Sequence, residues 1–171
     1  NDSKIKSLLN EVKDREFIGY SYDGADASFE LLARRVMGEI PKYLTISQYD
    51  VSVKKNQKGE IISYAKAHIL VDGEEVVCEG EGNGPVHALD NAIRKNVDKV
   101  KKYSKFLKDL KLVDYKVRIL NTGTEATTRV SIESTDSKGK HWFTIGVSTN
   151  IIDASFKALI DSLDYKLFKD K

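Results

Sequence analysis

The sequence predicts an α+β chain: two similar units, each of three β-strands closed by one α-helix, behind a short helical lead-in. Three observations carry this. The hydrophobic period changes from helical to alternating near Tyr43 and back to helical after Pro85. The same succession runs again from Leu112 onward. The two runs superpose at a shift of 66 residues, which sets Gly139 on Gly73, Gly146 on Gly80, Asn150 on Gly84, Ala154 on Ala88 and Ala158 on Ala92. In each unit an amphipathic sheet face and an amphipathic helix can cover each other, and an internal two-fold relation is the natural packing of the pair.

Ile5, Leu8, Leu9 and Val12 recur at helical spacing, with Asp2 and Ser3 as candidate caps, and the run Phe17 to Gly24 breaks the helix. A second helix starts at about Asp26, with Phe29, Leu32, Ala33, Val36 and Met37 as its apolar stripe. Gly38 is placed to end it and Pro41 prevents its continuation. Ile46 to Lys54 and Ile61 to Val71 alternate as strands, joined by the turn Asn56-Gln57-Lys58-Gly59. Asp72-Gly73 is a two-residue hairpin signal leading to a third strand from Glu75 to Glu81. In Gly82-Asn83-Gly84-Pro85 the glycines permit backbone conformations closed to other residues, and Pro85 suits the first turn of a helix. Ala88, Leu89, Ala92, Ile93, Val97 and Val100 continue that helix. In the second unit, Leu112 to Asn121 carries Val113, Tyr115, Val117 and Ile119 on one face, and Thr128 to Thr135 carries Thr128, Val130 and Ile132. Asp136-Ser137-Lys138-Gly139 turns into a strand from His141 to Val147. Asn150 caps a last helix bearing Ala154, Phe156, Ala158, Leu159 and Leu163.

Hydrophobic residues at 40% and charged residues at 32% match a soluble globular domain able to bury a core. No run approaches the roughly 18 apolar residues of a membrane span, and no signal-peptide pattern is present, so a cytoplasmic protein is expected. The chain begins with Asn1, which reads as a segment of something longer. A lone cysteine, Cys78, excludes a disulfide framework and a cysteine metal site. His68, His87 and His141 are not at metal-ligand spacing from one another. There is no Gly-x-Ser-x-Gly elbow and no phosphate-binding Gly-x-x-x-x-Gly-Lys. No catalytic centre is legible.

Gly82-Asn83-Gly84-Pro85 has two readings. A helix N-terminus presents N–H groups and partial positive charge to a small carboxylate, and glycines let a ligand approach the backbone. It is equally a tight strand-to-helix turn. Ser148-Thr149-Asn150-Ile151 supplies an equivalent start in the second unit, and two such starts could face one cavity. The stretch from Lys95 to Lys111 holds seven lysines against Asp98 and Asp109. It reads as a solvated helix with Val97, Val100, Tyr103, Phe106 and Leu107 turned inward, or else as a basic patch of an RNA-binding β-β-β-α module. The acidic flanks, Glu74, Glu75, Glu79, Glu81 and Asp90, weigh against nucleic acid. Trp142 and Phe143 read as core or interface, Cys78 as a strand residue and His141 as part of a hairpin.

Several strings have a familiar order and spacing along essentially the whole chain: Asp26-Ala27-Ser28-Phe29-Glu30-Leu31-Leu32, Gly82-Asn83-Gly84-Pro85, Leu112 to Ile119, and Gly146 to Ser155. Together they resemble the C-terminal part of the citramalate synthase and 2-isopropylmalate synthase family. Gly19 to Ala25 makes the chain look closer to the citramalate branch. In that family a metal-dependent barrel condenses acetyl-CoA with a 2-oxo acid. Its His-x-His pair has no match here, so the barrel and its divalent metal are expected outside these residues, which themselves carry no cofactor. The resemblance implies a helical linker over 1–38 and a regulatory domain over 39–171, with units of about 43–110 and 111–171. That domain would pair with a second copy and bind isoleucine as feedback inhibitor, or leucine in the isopropylmalate branch. Neither nucleic acid nor membrane is expected as a partner. Carried residue by residue, the resemblance implies effector contacts at Asn83, Gly84, Val86, His87, Leu112, Tyr115, Ile119, Asn150, Ile151 and Asp153, with Val130 added from the neighbouring strand.

Overall fold

The computed structural model describes residues 1–96, 102–121 and 126–171. Val97 and Val100, assigned above to the third helix, lie outside the described residues, as do Asp98, Lys99 and Lys101 of the lysine-rich stretch. The element order is α1 (Asp2–Ile18), α2 (Asp26–Val36), β1 (Leu44–Lys55), β2 (Ile61–Val71), β3 (Glu74–Gly82), α3 (Pro85–Asn96), α4 (Ser104–Leu107), β4 (Lys111–Ile119), β5 (Thr128–Thr135), β6 (His141–Ser148) and α5 (Ile151–Asp170). The strands form two antiparallel three-stranded sheets, ordered β1-β2-β3 and β4-β5-β6. This is the predicted pair of β-β-β-α units. The chain divides into two compact units, one of Asn1–Lys42 with Asp109–Asp170, the other of Tyr43–Lys108 with Lys171.

In the unit built on β1–β3, Ala65, Ala67, Ile69 and Cys78 meet Ala88, Leu89, Ala92 and Ile93 in a core that is at most 1% exposed at each of these residues. Asp72 and Gly73 both have positive φ, 51° and 85°, which the tight hairpin demands. The Asp72 carboxylate then takes the Tyr103 hydroxyl at 2.7 Å and the Lys102 ammonium at 2.9 Å. The lysine-rich stretch is therefore not one helix. Lys102 and Tyr103 lie in a turn, α4 spans only Ser104–Leu107 and buries Leu107 while Phe106 stays half-buried, and Lys111 already belongs to β4.

In the other unit, α5 covers β5 and β6. Val130, Ile132, Trp142, Ile145, Phe156, Leu159 and Leu163 are buried there. α2 packs against α5 and β6. Arg35 holds the buried Asp164 at 2.6 Å and Asp161 at 3.4 Å, and the Ser28 hydroxyl donates to Asp161 at 2.9 Å. Its buried side is Ala27, Ser28, Leu31 and Leu32. Phe29, assigned above to the apolar stripe, is 40% exposed, because the docked face is rotated toward the small residues that let the helices approach. α1 buries no residue, and no side chain caps its start, so Asp2 and Ser3 are not caps. Gly38 ends α2 as expected, with φ 74° and the Glu39 N–H returned to the Arg34 carbonyl at 2.9 Å.

Candidate functional site

The two sheet–helix pairs are built to one plan, and the plan places the strand-to-helix junctions. A Cβ on Gly80 would stand 2.5 Å from the Ala92 nitrogen; one on Gly146 would strike the Ala154 carbonyl oxygen. Each helix thus lies on its sheet at a glycine. A register shift occurs between Ile46 and Gln48 in β1 and recurs between Leu112 and Asp114 in β4, 66 residues on. This bulge takes Val113 out of the alternation predicted for β4 and leaves Tyr115, Val117 and Ile119 as one row.

That row is where the structure departs most from simple amphipathic burial. Tyr115, Val117 and Ile119 lie opposite Ile132, Val130 and Thr128, on the sheet face toward α5. The Tyr115 hydroxyl meets Ser155 Oγ of α5 at 2.6 Å. Yet α5 packs chiefly on β5 and β6, and the row stays 43%, 40% and 66% exposed. The ladder carries Ile119 through Thr128 to Ser148, so Ile119 stands level with the start of α5. There Asn150 caps the helix as expected, its Oδ1 accepting the N–H groups of Ile152 (2.8 Å) and Asp153 (3.2 Å). Ile151 is 48% exposed. The Asp153 carboxylate is engaged by Lys157 at 3.2 Å. Leu112 is half-buried just before the bulge. Among the seven expected site residues in this unit, Val130 differs. It is fully buried beneath α5, so it forms the floor of the ledge rather than its surface.

Asn83, Gly84, Val86 and His87 stand at the equivalent start of α3 in the other unit. His87 Nδ1 accepts the Asn83 N–H at 3.1 Å and closes the turn. Neither Gly82 nor Gly84 has positive φ, so the conformational reading of these glycines is corrected. Gly82 is needed for space, since its Cβ would stand 2.7 Å from the Ala88 nitrogen. At Gly84 no heavy atom lies within 4 Å of a built Cβ. Nothing among the described residues calls for glycine there, and the backbone is open to approach.

A groove of about 810 Å³ in the same unit, lined by Tyr64, Glu79, Glu81, Asn91, Arg94 and Lys95, was not foreseen from the sequence. Two of its polar side chains, Asn91 and Arg94, are turned to structural use, with Asn96 beside them. Asn91 donates to the Glu81 carbonyl at 2.8 Å, Asn96 to the Glu79 carbonyl at 3.3 Å, and Arg94 binds Asp90 at 2.9 Å. The amides cover the edge of β3, a role no spacing pattern announces.

The most heavily charged cluster is structural. Lys166, 1% exposed, meets Asp136 (2.9 Å), Asp109 (3.2 Å) and Asp170 (2.5 Å). The Ser137 hydroxyl and N–H and the Lys166 ammonium hold Asp109 down at about 2. Asp136 is likewise lowered: burial raises it, but the Lys166 ammonium together with the N–H groups of Lys140 and Lys138 outweighs that cost. Lys166 is raised by its three carboxylates despite being buried. Among the described residues no group of three or more His, Cys, Asp or Glu is placed to hold a metal ion. No described helix is long and apolar enough to cross a membrane.

Residues 23–167 match the LeuA allosteric (dimerisation) domain. The chain is 43% identical over 173 residues to an (R)-citramalate synthase of Geobacter sulfurreducens, covering 99% of this chain and 32% of that protein. It is also 43% identical over 171 residues to the (R)-citramalate synthase of Aquifex aeolicus, covering 98% and 32%. A 2-isopropylmalate synthase of Clostridium acetobutylicum matches at 37% over 106 residues, 61% of this chain and 17% of that protein. The chain thus spans about a third of the length of the curated citramalate synthases it matches.

Proposed function

This chain belongs to the LeuA allosteric (dimerisation) domain family, and from that premise we propose that it is the regulatory part of a cytoplasmic citramalate synthase, pairs with a second copy and binds isoleucine as feedback inhibitor. The catalytic part, which would join acetyl-CoA to pyruvate, lies outside these residues in this reading. The citramalate assignment is supported by the relatives that align over nearly all of the chain, against the partial match to a 2-isopropylmalate synthase.

The observation that carries the ligand reading is the exposed aliphatic row of β4 level with the first turn of α5. An amino acid brings three groups. Its carboxylate suits the N–H groups and partial positive charge of a helix start. Its ammonium suits backbone carbonyls, or Asp153 in exchange for Lys157. Its branched side chain suits Tyr115, Ile119 and Ile151, which are otherwise left in water. The α3 start, with the open backbone at Gly84, is the corresponding place in the other unit. One methyl distinguishes isoleucine from leucine by shape alone, worth about 1–3 kcal/mol in an apolar pocket. Calorimetric titration of the chain with isoleucine, leucine and valine tests the reading: isoleucine gives the tightest isotherm. Preference for leucine moves the assignment to the isopropylmalate branch, and no heat from any of the three removes the effector reading.

A further inference from the structure

The two edges of the β4-β5-β6 sheet are treated differently. At β6 the Ile145 N–H donates to Ser28 Oγ of α2 at 2.9 Å, and Lys157 reaches the Val147 carbonyl at 3.3 Å. At β4 every residue from Val113 to Ile119 is exposed, including the large apolar Val113, Tyr115, Val117 and Ile119. Long exposed apolar edges are pairing templates, which soluble proteins blunt unless they use them.

We infer that β4 pairs antiparallel with β4 of a second copy, centred on Tyr115, joining the two sheets across a two-fold axis. The inference rests on the dimerisation reading above and names the surface that serves it. Its ground is charge complementarity. In an antiparallel pair, opposite residues share a face, and opposite charges there stabilise while like charges destabilise. A two-fold pairing of identical strands is therefore centred on a residue. Centring on Tyr115 sets Asp114 against the partner's Lys116, and does so twice. Centring on Asp114 or Lys116 sets that residue against its own copy, and centring on Val117 sets Lys116 against Arg118. Of these four centres only Tyr115 gives attraction without repulsion. The pairing also relieves a misfit within the chain, where Asp114 stands opposite Glu133 and has its own Lys116 at 3.5 Å. At the equivalent centre of β1, the matching edge of the other unit, Gln48 and Asp50 flank Tyr49 and give no such exchange.

The test uses D114K and K116D in the 171-residue chain, with mass measured by sedimentation across a concentration series. Each single variant opposes like charges at both places, so its dimer weakens by about tenfold or more. The double variant D114K/K116D restores the dimer. Differently tagged D114K and K116D chains, co-expressed, purify together as a heterodimer, which reads the pairing even if one variant folds poorly alone. If the unmodified chain dimerises but the single variants do so equally well, or the two variants do not co-purify, this surface is wrong and dimerisation stands. An unmodified chain that stays monomeric at high concentration overturns both.

Discussion

At Gly80 and Gly146 a single methyl group would push a helix off its sheet, whereas at Gly84 it would meet open space. The three positions therefore respond differently to the same change. Gly80→Ala and Gly146→Ala destabilise by about 1–3 kcal/mol or more through overpacking, read as a lowered urea midpoint at constant slope. Gly84→Val leaves the unfolding midpoint of the chain near that of the parent and weakens isoleucine binding, measured by titration; unchanged binding would move the effector away from the α3 start. Lys166 behaves as a different kind of determinant. Removing one partner of a buried ion pair leaves charge uncompensated, so Lys166→Met costs about 3–5 kcal/mol in the same urea measurement. The pH dependence follows by sign. Asp109 sits at about 2 in the folded chain, below the usual carboxylate value of about 3.9. Its contribution is complete above that usual value and is lost as pH falls toward 2. Lys166 is raised, so its contribution is complete below the usual lysine value of about 10.4 and is lost only as pH rises through its higher folded value. Melting temperature is expected to fall on acidification below about pH 4, and Lys166→Met to reduce that slope while the bonds from Ser137 keep part of it.

Among the elements, β4 and α5 show how local signals and packing divide the work. The start of α5 is written locally: Asn150 is a preferred cap type and its side chain caps. Asn150→Ala should cost about 1 kcal/mol in unfolding free energy and raise amide exchange in the first turn of α5. The strand character of β4 is equally local, but which residues face α5 is not. The bulge at Val113 is set by pairing with β5, and periodicity read across it assigns Val113 to the wrong row. α2 gives the same lesson. Its period marks a helix, while the face it buries was decided by Arg35 reaching Asp164 and by the close approach that Ala27 and Ser28 permit. The Lys95–Lys111 stretch reads as one solvated helix only until Lys102 and Tyr103 are seen in a turn and Lys111 in β4.

For the whole molecule, the repeat at 66 residues was legible because it is fixed by short-range requirements: glycines where a helix meets a sheet, turn residues with positive φ, and caps. Those requirements act on individual residue types, so the sequence alone determined the α+β class, the order of elements and the strand-to-helix junctions. Through the family's ordered motifs it also pointed to a regulatory domain. The side-chain arrangement on those elements was a tertiary matter. That Tyr115, Val117 and Ile119 overhang α5 in solvent, that Val130 lies beneath it, and that Asn91 and Asn96 cover the edge of β3 follow from the width of a helix laid on three strands. A helix about 10 Å across covers two strands spaced near 4.8 Å and leaves the third uncovered. Alternation along one strand carries no information about which strand that will be.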